Sequence, residues 1–337
     1  MKPWHAFLAI VVLMAAAPFG LPVYAVTLLT ECLIMGLFAM SLDLMVGYTR
    51  LYSFGHAAAY GLGAYAAGNL LLHTHMPMVF AVLLAALFSG IVAIGIAWVC
   101  TIATGVSFSM LTLAFAQLLY AIAFKWTAVT GASDGLAGIP RTPGPFGMTV
   151  FQDRTGFYYL VLALLAASYL FCRTVVHAPF GAVLRGIREN EPKTRSLGYN
   201  TRGYKIAVVA IAYALGGLAG ALYAPFAGFT NTELLFWLLS GQVLIMVIIG
   251  GAGTLVGPIL GAIFFLVVQQ ELSNYTDSWA LFFGLIFVAF VLWIPQGIWG
   301  VASGWAHRRS PLPVGGSGNE ADRRQGEGGT HAPATTR

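Results

Sequence analysis

Ten long apolar segments separated by short polar connections limit what this chain can fold into. They lie at about 6–25, 26–48, 54–72, 78–100, 106–128, 156–176, 206–228, 234–250, 255–271 and 279–300. A helix that crosses a bilayer needs about 20 apolar residues, and it satisfies its own backbone hydrogen bonds in lipid. Only 9% of the 337 residues are charged, against roughly 25% in soluble proteins. The sequence therefore predicts an all-α polytopic membrane protein with about ten transmembrane helices. It excludes a soluble enzyme, a nucleic-acid module and a disulfide-rich secreted domain.

The basic residues predict the orientation. Segment 173–205 holds seven of the 17 Lys and Arg residues, and the C-terminal tail holds several more. Cytoplasmic loops are enriched in Lys and Arg, so both regions, and with them both termini, are predicted to be cytoplasmic. An even number of spans must separate them, which requires a break at Gly250–Thr254 and places 129–155 outside. Residues 1–305 are then the transmembrane domain. Residues 306–337 are a polar, disordered tail.

The first apolar segment has two interpretations. Lys2, an apolar run and Ala15-Ala16-Ala17 together resemble a cleaved signal peptide. The charged region before the run is short, so we expect a retained helix.

No catalytic constellation or metal-binding cluster is recognisable in the sequence. Cys32, Cys100 and Cys172 lie in apolar stretches, where a free cysteine packs as a small hydrophobe. His73 and His75 have no neighbouring Cys or carboxylate to complete a metal site. A phosphate-binding Gly-x-x-x-x-Gly-Lys loop is absent, because no lysine follows a glycine. We therefore expect no metal or cofactor in this chain, and an energy source in a partner or an ion gradient.

The loop 179–205 is too long and too regularly patterned to be a simple turn. Val183, Leu184, Ile187 and Leu197 give an apolar face at helical spacing, and charged residues cover the other face. This pattern predicts a helix along the membrane surface that presents charges to a soluble partner. A solvated, positively charged loop is the alternative.

Glycines and two carboxylates within an apolar segment are the remaining features. Gly216-x-x-x-Gly220 and Gly253-x-x-x-Gly257-x-x-x-Gly261 predict close helix packing. The breaks Gly47–Gly55 and Gly250–Pro258 could instead mark a transport path through interrupted helices. Glu31 and Asp43 lie within an apolar segment, where ionisable groups are costly. We expect Asp43 to cap a helix or to pair with Arg50.

Several motifs occur together in a fixed order. They are Leu42–Tyr48, Ser53–Ala58, Gly61–Tyr65, Thr130–Pro140, Phe180–Glu191, Ser196–Asn200, Tyr204–Lys205 and Gly250–Pro258. In this order the chain resembles, over residues 40 to 300, the LivM-type permease of branched-chain amino acid ABC importers. The resemblance implies a second, LivH-like permease, two cytoplasmic ATPases that bind ATP and Mg, an external substrate-binding protein and a bacterial inner membrane.

The resemblance also implies roles for individual residues. The candidates for coupling to an ATPase are Arg185, Arg188, Glu189, Glu191 and Gly198. Gly198 fits the glycine of the permease coupling motif, although the Glu-Ala-Ala that often precedes this glycine is absent. The candidates for the path or a gate are Ser53, Gly55, His56, Ser133, Asp134, Gly250, Gly251 and Gly253.

The predicted function is therefore that of an ABC importer permease that passes a small amphipathic solute inward by alternating access. Branched-chain amino acids are the expected solute, with urea, amides and other small acids left open. The alternatives are a proton-coupled secondary transporter, with Glu31 and Asp43 as proton carriers, and a membrane scaffold or enzyme.

Overall fold

The computed structural model describes residues 3–74, 76–143, 149–276, 278–293 and 297–300. The predicted tail 306–337 and His75 lie outside the described residues. The helices are α1 (Pro3–Ala16), α2 (Val23–Thr49), α3 (His56–His73), α4 (Met78–Cys100), α5 (Val106–Lys125), α6 (Thr127–Thr130), α7 (Arg154–His177), α8 (Pro179–Ser196), α9 (Thr201–Ala227), α10 (Trp237–Gly250), α11 (Val256–Tyr275) and α12 (Trp279–Trp293). Two short strands, β1 (Leu136–Ala137) and β2 (Phe229–Thr230), pair antiparallel.

Seven of the described helices are long and apolar enough to cross a membrane. They are α2, α4, α5, α7, α9, α11 and the segment Ala280–Gly300, which includes most of α12. Helices α1 and α10 have 14 residues each, fewer than a full span needs, and the 18-residue α3 is less apolar than the seven. An all-α, multi-pass membrane protein is confirmed. A helix lies in each of the ten predicted segments, but the count of ten spans and the position of the termini remain predictions.

Helices α2, α3, α4 and α9 form the centre of the bundle. Almost every residue from Cys32 to Thr49 of α2 is buried. Glycines permit this close packing, because a methyl group on Gly220 of α9 would overlap the carbonyl of Tyr60 in α3. Helices α10 and α11 approach each other through Gly257 and Gly261 in the same way. The predicted role in helix packing is confirmed for Gly216, Gly220, Gly257 and Gly261. It was wrong for Gly253, which lies in the connection before α11.

The contacts distinguish two ends of the bundle. At the end that carries α8, Arg202 donates to the Trp98 carbonyl and Ser109 to the Tyr52 carbonyl. We call this the α8 end. At the opposite end, Arg141 donates to the Pro225 carbonyl, and β1 pairs with β2. The connections before α3, α5 and α11 therefore share the α8 end, while 126–143 and 228–236 share the opposite end.

Candidate coupling and gating site

Helix α8 is the amphipathic helix that the loop pattern predicts. It begins at Pro179, and its buried face contains Val183, Leu184 and Ile187. Asn190 departs from helical geometry, with φ −158° and ψ 97°, two residues before Pro192. A proline inside a helix removes a backbone donor and clashes with the preceding turn, so this kink redirects the end of α8.

Leu197 does not join the buried face, contrary to the sequence pattern. The kink interrupts the helical period, and α8 ends at Ser196. Leu197 is 70% exposed, and Tyr199 is 45% exposed beside it. Between them lies Gly198, which is exposed and has φ +89°. Sequence reasoning selected Gly198, but it placed Leu197 on the buried face and gave no role to Tyr199.

Two arginines of α8 bind the chain itself. Arg185 Nη1 donates to the carbonyl of Val176 in α7 at 2.9 Å, and Arg188 Nη1 donates to the carbonyl of Gly47 in α2 at 2.6 Å. Both acceptors lie in the last turn of their helices, where carbonyls lack intrahelical partners and cations are favoured. Arg185 and Arg188 therefore fasten α8 to the ends of two long helices.

Glu191 joins the end of α8 to the start of α9. Its Oε2 lies 2.6 Å from Lys205 Nζ, and its Oε1 lies 3.3 Å from Arg195 Nη2. Thr201 Oγ1 also donates to Oε1 at 3.2 Å. Lys205 is almost completely buried. Glu189, in contrast, is exposed. Of the five predicted coupling residues, Arg185, Glu189 and Gly198 are exposed, and Arg188 and Glu191 are partly buried.

Asp43 binds the connection between α10 and α11. Its carboxylate is fully buried, and Oδ1 accepts a hydrogen bond from the Gly253 amide at 2.6 Å. Oδ2 accepts from the Leu255 amide at 3.1 Å. Asp43 therefore caps the N-terminal end of α11. This agrees with the expectation that Asp43 caps a helix. The alternative, a pairing with Arg50, is not observed, because no hydrogen bond or ion pair among the described residues joins Asp43 to Arg50.

The backbone of this connection adopts uncommon conformations. Gly251 has φ +105°, Gly253 has φ +82° and Leu255 has φ +59°. Glycine adopts positive φ without a steric cost, but a leucine in this region costs about 1–3 kcal/mol. The bond from the Leu255 amide to Asp43 opposes this strain. Gly250, the last residue of α10, instead provides close contact with Gly257.

The two predicted helix breaks are in contact at the α8 end. A methyl group on Gly47 would overlap the Gly253 amide nitrogen, and Tyr48 Oη donates to the Gly253 carbonyl at 3.0 Å. A methyl group on Gly253 would lie 3.5 Å from Arg188 Nη1. Arg188, Gly47, Asp43 and the Gly253–Leu255 segment therefore form one continuous set of contacts. We call it the break clamp.

Ser53, Gly55 and His56 lie at the start of α3, inside the bundle. Ser53 Oγ accepts from the Gly55 amide at 3.2 Å, and the Gly55 carbonyl accepts from Tyr213 Oη at 3.0 Å. His56 is fully buried, and its Nε2 lies 2.8 Å from Ser41 Oγ. Within the described chain, His56 Nδ1 has no hydrogen-bond partner. These three residues connect α2, α3 and α9, so they are placed to respond to a movement of those helices.

Ser133 and Asp134 lie apart from this group, at the opposite end. Ser133 Oγ lies 3.1 Å from Asp134 Oδ1 in an exposed turn. Gly131 and Gly135, with φ +69° and +70°, bracket the turn. The predicted path and gate residues thus divide into a group at the α8 end and an exposed turn at the opposite end.

A helical membrane bundle whose surface helix is tied to an internal helix break has the organisation expected of a permease. The family model "Branched-chain amino acid transport system / permease component" matches residues 24–292. The chain therefore belongs to this permease family, as the sequence resemblance indicated. It is a transporter subunit and not an enzyme.

Three relatives illustrate the similarity. LivM, the high-affinity branched-chain amino acid transport permease of Escherichia coli K12, is 27% identical over 86% of this chain and 73% of its own length. A probable LivM of Methanocaldococcus jannaschii is 30% identical over 43% of this chain and 42% of its own length. The autoinducer 2 import permease LsrC of Salmonella paratyphi B is 30% identical over 48% of this chain and 46% of its own length. No solved structure matches the chain significantly.

Proposed function

We propose that this chain is a membrane subunit of a bacterial inner-membrane ABC importer that passes branched-chain amino acids inward by alternating access. Its partners would be a second, LivH-like permease, two cytoplasmic ATPases that bind ATP and Mg, and an external substrate-binding protein. The solute is inferred from similarity, because the likeness to LivM extends over 86% of the chain and that to LsrC over 48%. Urea, amides and other small acids are the competing solutes.

The observation that carries this proposal is that α8, through Arg188, is part of the break clamp. A permease driven by a separate ATPase needs a surface element that moves with the ATPase. It also needs an internal element that follows the movement of the surface element. Arg188 belongs to α8 and reaches the carbonyl of Gly47 at 2.6 Å. Asp43, one turn earlier in α2, holds the amides of Gly253 and Leu255. A displacement of α8 would therefore act directly on the connection between α10 and α11.

The exposed tip Leu197–Gly198–Tyr199 is the proposed anchor for an ATPase. Apolar and aromatic side chains at the centre of a small surface give most of the binding energy when a partner buries them. Glu189 and Arg195 of the preceding helix α8 are exposed, so they would form a polar rim. Arg185, Arg188 and Glu191 would act differently, since their internal bonds make α8 rigid and transmit its motion.

The proton-coupled alternative makes a different demand on Asp43. A proton carrier must alternate between a charged and a neutral carboxyl, and each change would alter the two amide bonds that hold the break. Transport by this route would stop with an uncoupler and would continue without an ATPase.

The test is uptake of radiolabelled leucine and urea by cells that express the chain with its neighbouring genes, together with recovery of the complex. We expect leucine uptake that needs ATP hydrolysis, and ATPase subunits that co-purify with the chain. The variant Leu197→Ala/Tyr199→Ala should lose most of the bound ATPase. Ile102→Ala is the matched control, because Ile102 is an apolar residue at the same end with 69% exposure.

Three outcomes would overturn parts of this proposal. Uptake that collapses with an uncoupler and survives ATPase deletion would replace it with proton coupling. Urea uptake without leucine uptake would change the solute. Equal ATPase recovery from the double variant and from wild type would move the docking site away from the α8 tip.

A further inference from the structure

A small cavity lies at the opposite end of the bundle, away from the break clamp. It has a volume of about 190 Å³ and is lined by the first turns of α2 and α7, the last turn of α9 and Arg141 from the segment after β1. Its polar lining comes from Arg141, Arg154, Thr27 and Thr30, and its apolar lining includes Phe157 and Phe226. Two guanidinium groups thus face one cavity at the level of the helix ends.

Arg141 is held in place by the end of α9. Its Nε donates to the Pro225 carbonyl at 3.0 Å, and Nη2 donates to the Phe226 carbonyl at 3.2 Å. Its guanidinium carbon lies 4.9 Å from the centre of the Phe157 ring, a distance that suits a cation–π contact. These three contacts leave Nη1 without a hydrogen bond to any described residue. The side chain is therefore ordered before any ligand arrives.

Arg154 brings a second positive charge to the cavity. It is the first residue of α7, where the free amides of the first turn add positive potential. Across the described ranges it makes no hydrogen bond or ion pair. Burial, and secondarily the charge of Arg154, lower the pKa of Arg141.

No carboxylate of the described residues forms an ion pair with either arginine, including Asp153, which precedes Arg154 in the chain. Among the described residues, no acidic side chain lies within 4 Å of either arginine, and none lines the cavity. The segment 144–148, which follows Arg141, contains no Asp or Glu. The hydroxyls of Thr27 and Thr30 donate to carbonyls of their own helix and bring no negative charge.

We propose that the cavity between Arg141 and Arg154 binds one small oxyanion. Guanidinium groups match carboxylate and phosphate oxygens in charge and in hydrogen-bond geometry. The volume suits a carboxylate or phosphate group with a short apolar substituent against Phe157 and Phe226. Two sources could supply it, namely the carboxylate of a free amino acid or the phosphate of a lipid headgroup. This site does not depend on the transport function proposed above.

The experiment is a thermal-stability titration of the purified full-length chain in a nonionic detergent at constant ionic strength. The probes are inorganic phosphate, leucine and dioleoyl phosphatidylglycerol in mixed micelles, with chloride and dioleoyl phosphatidylcholine as references. The variant is Arg154→Gln, which breaks no described contact and should fold. Arg141→Gln is the second variant, because it also removes the bonds to α9.

Arg202→Gln is the matched control. Arg202 also donates to a helix-end carbonyl, that of Trp98, at 2.7 Å, and it also lies over an aromatic ring, at 5.5 Å. It is at the α8 end, away from the cavity.

The proposal expects the thermal midpoint of wild type and Arg202→Gln to rise with at least one probe, since a ligand that binds the folded state stabilises it. Arg154→Gln should need a probe concentration about tenfold higher, or more, to reach the same rise in thermal midpoint. This is the effect of one lost charged hydrogen bond. A response to leucine identifies a free carboxylate as the source, and a response to phosphatidylglycerol identifies a lipid. No response to any probe, or equal responses of Arg154→Gln and wild type, would refute the site.

Discussion

Replacement of Asp43 gives the sharpest test of the break clamp. In Asp43→Ala, the amides of Gly253 and Leu255 lose both acceptors inside the bundle. A buried backbone donor left without a partner costs about 1–3 kcal/mol, so the variant should lose about 2–6 kcal/mol. Asp43→Asn keeps one amide oxygen and turns its NH₂ group toward the second donor. It should lose about half as much.

The assay is thermal unfolding of the purified chain in a mild detergent, followed by circular dichroism and by the monodisperse fraction in size exclusion. Glu31→Ala is the control, because Glu31 lies in the same helix, is only partly buried and makes no hydrogen bond to a described residue. No hydrogen-bond partner of the Glu31 side chain is left unpaired by this change, so Glu31→Ala should not lower the stability. We expect the order of stability to be wild type and Glu31→Ala first, then Asp43→Asn, then Asp43→Ala.

The same variants separate the clamp from a proton carrier. A clamp predicts that stability and transport fall together, and that Asp43→Asn is intermediate in both. A proton carrier predicts that Asp43→Asn keeps wild-type stability and loses transport completely. If Asp43→Ala and Glu31→Ala unfold at the same temperature as wild type, the reasoning from the two amide bonds is refuted.

Two further predictions concern contacts at the α8 end. Gly47→Ala should lower the thermal midpoint, because its methyl group would overlap the Gly253 amide. Gly95→Ala in α4 should not lower it, because no atom lies within 4 Å of the added methyl; equal midpoints would disprove the close contact. Glu191→Gln should cost about 3 kcal/mol by leaving Lys205 buried without its partner. The pair Glu191→Gln/Lys205→Met should recover most of this loss, and a double-mutant cycle without coupling would contradict the ion pair.

Local patterns in the sequence predict the helices well. An apolar run of about 20 residues and a buried face at helical spacing are properties of one segment, so α2, α4 and α8 follow from composition and period alone. The glycine series are also local features, because glycines at helical spacing leave a flat helix face against which any neighbouring helix can pack. The count of spans is less accessible, because short helices such as α1 and α10 resemble full spans in composition.

Partners distant in sequence were beyond this reasoning. Asp43 and Gly253 are 210 residues apart. No feature of the sequence near Asp43 shows that its partner is Gly253 and not Arg50. Leu197 fitted the apolar period of α8, but the kink at Asn190 ended that period before it. Glu191 is a similar case. Its charge appeared available to a partner protein, but it forms an ion pair with Lys205 of the same chain.

The position of Gly47 explains how α8 could act on two sets of helices at once. Arg188 binds its carbonyl, Asp43 and Gly253 lie against it without an intervening side chain, and the segment that follows in the chain leads to Tyr52. Tyr52 in turn accepts a hydrogen bond from Ser109 of α5 at 2.7 Å. A displacement of α8 would therefore reach α10 and α11 through the break clamp and α5 through Tyr52.

Direct backbone contacts transmit such a displacement with little loss, because packed interiors do not deform continuously. Helix α5 exposes much of its surface, so few contacts within the chain oppose the movement. If the chain works by the proposed alternating access, we expect the cycle to begin with a shift of α5 and of the α10–α11 connection at the α8 end.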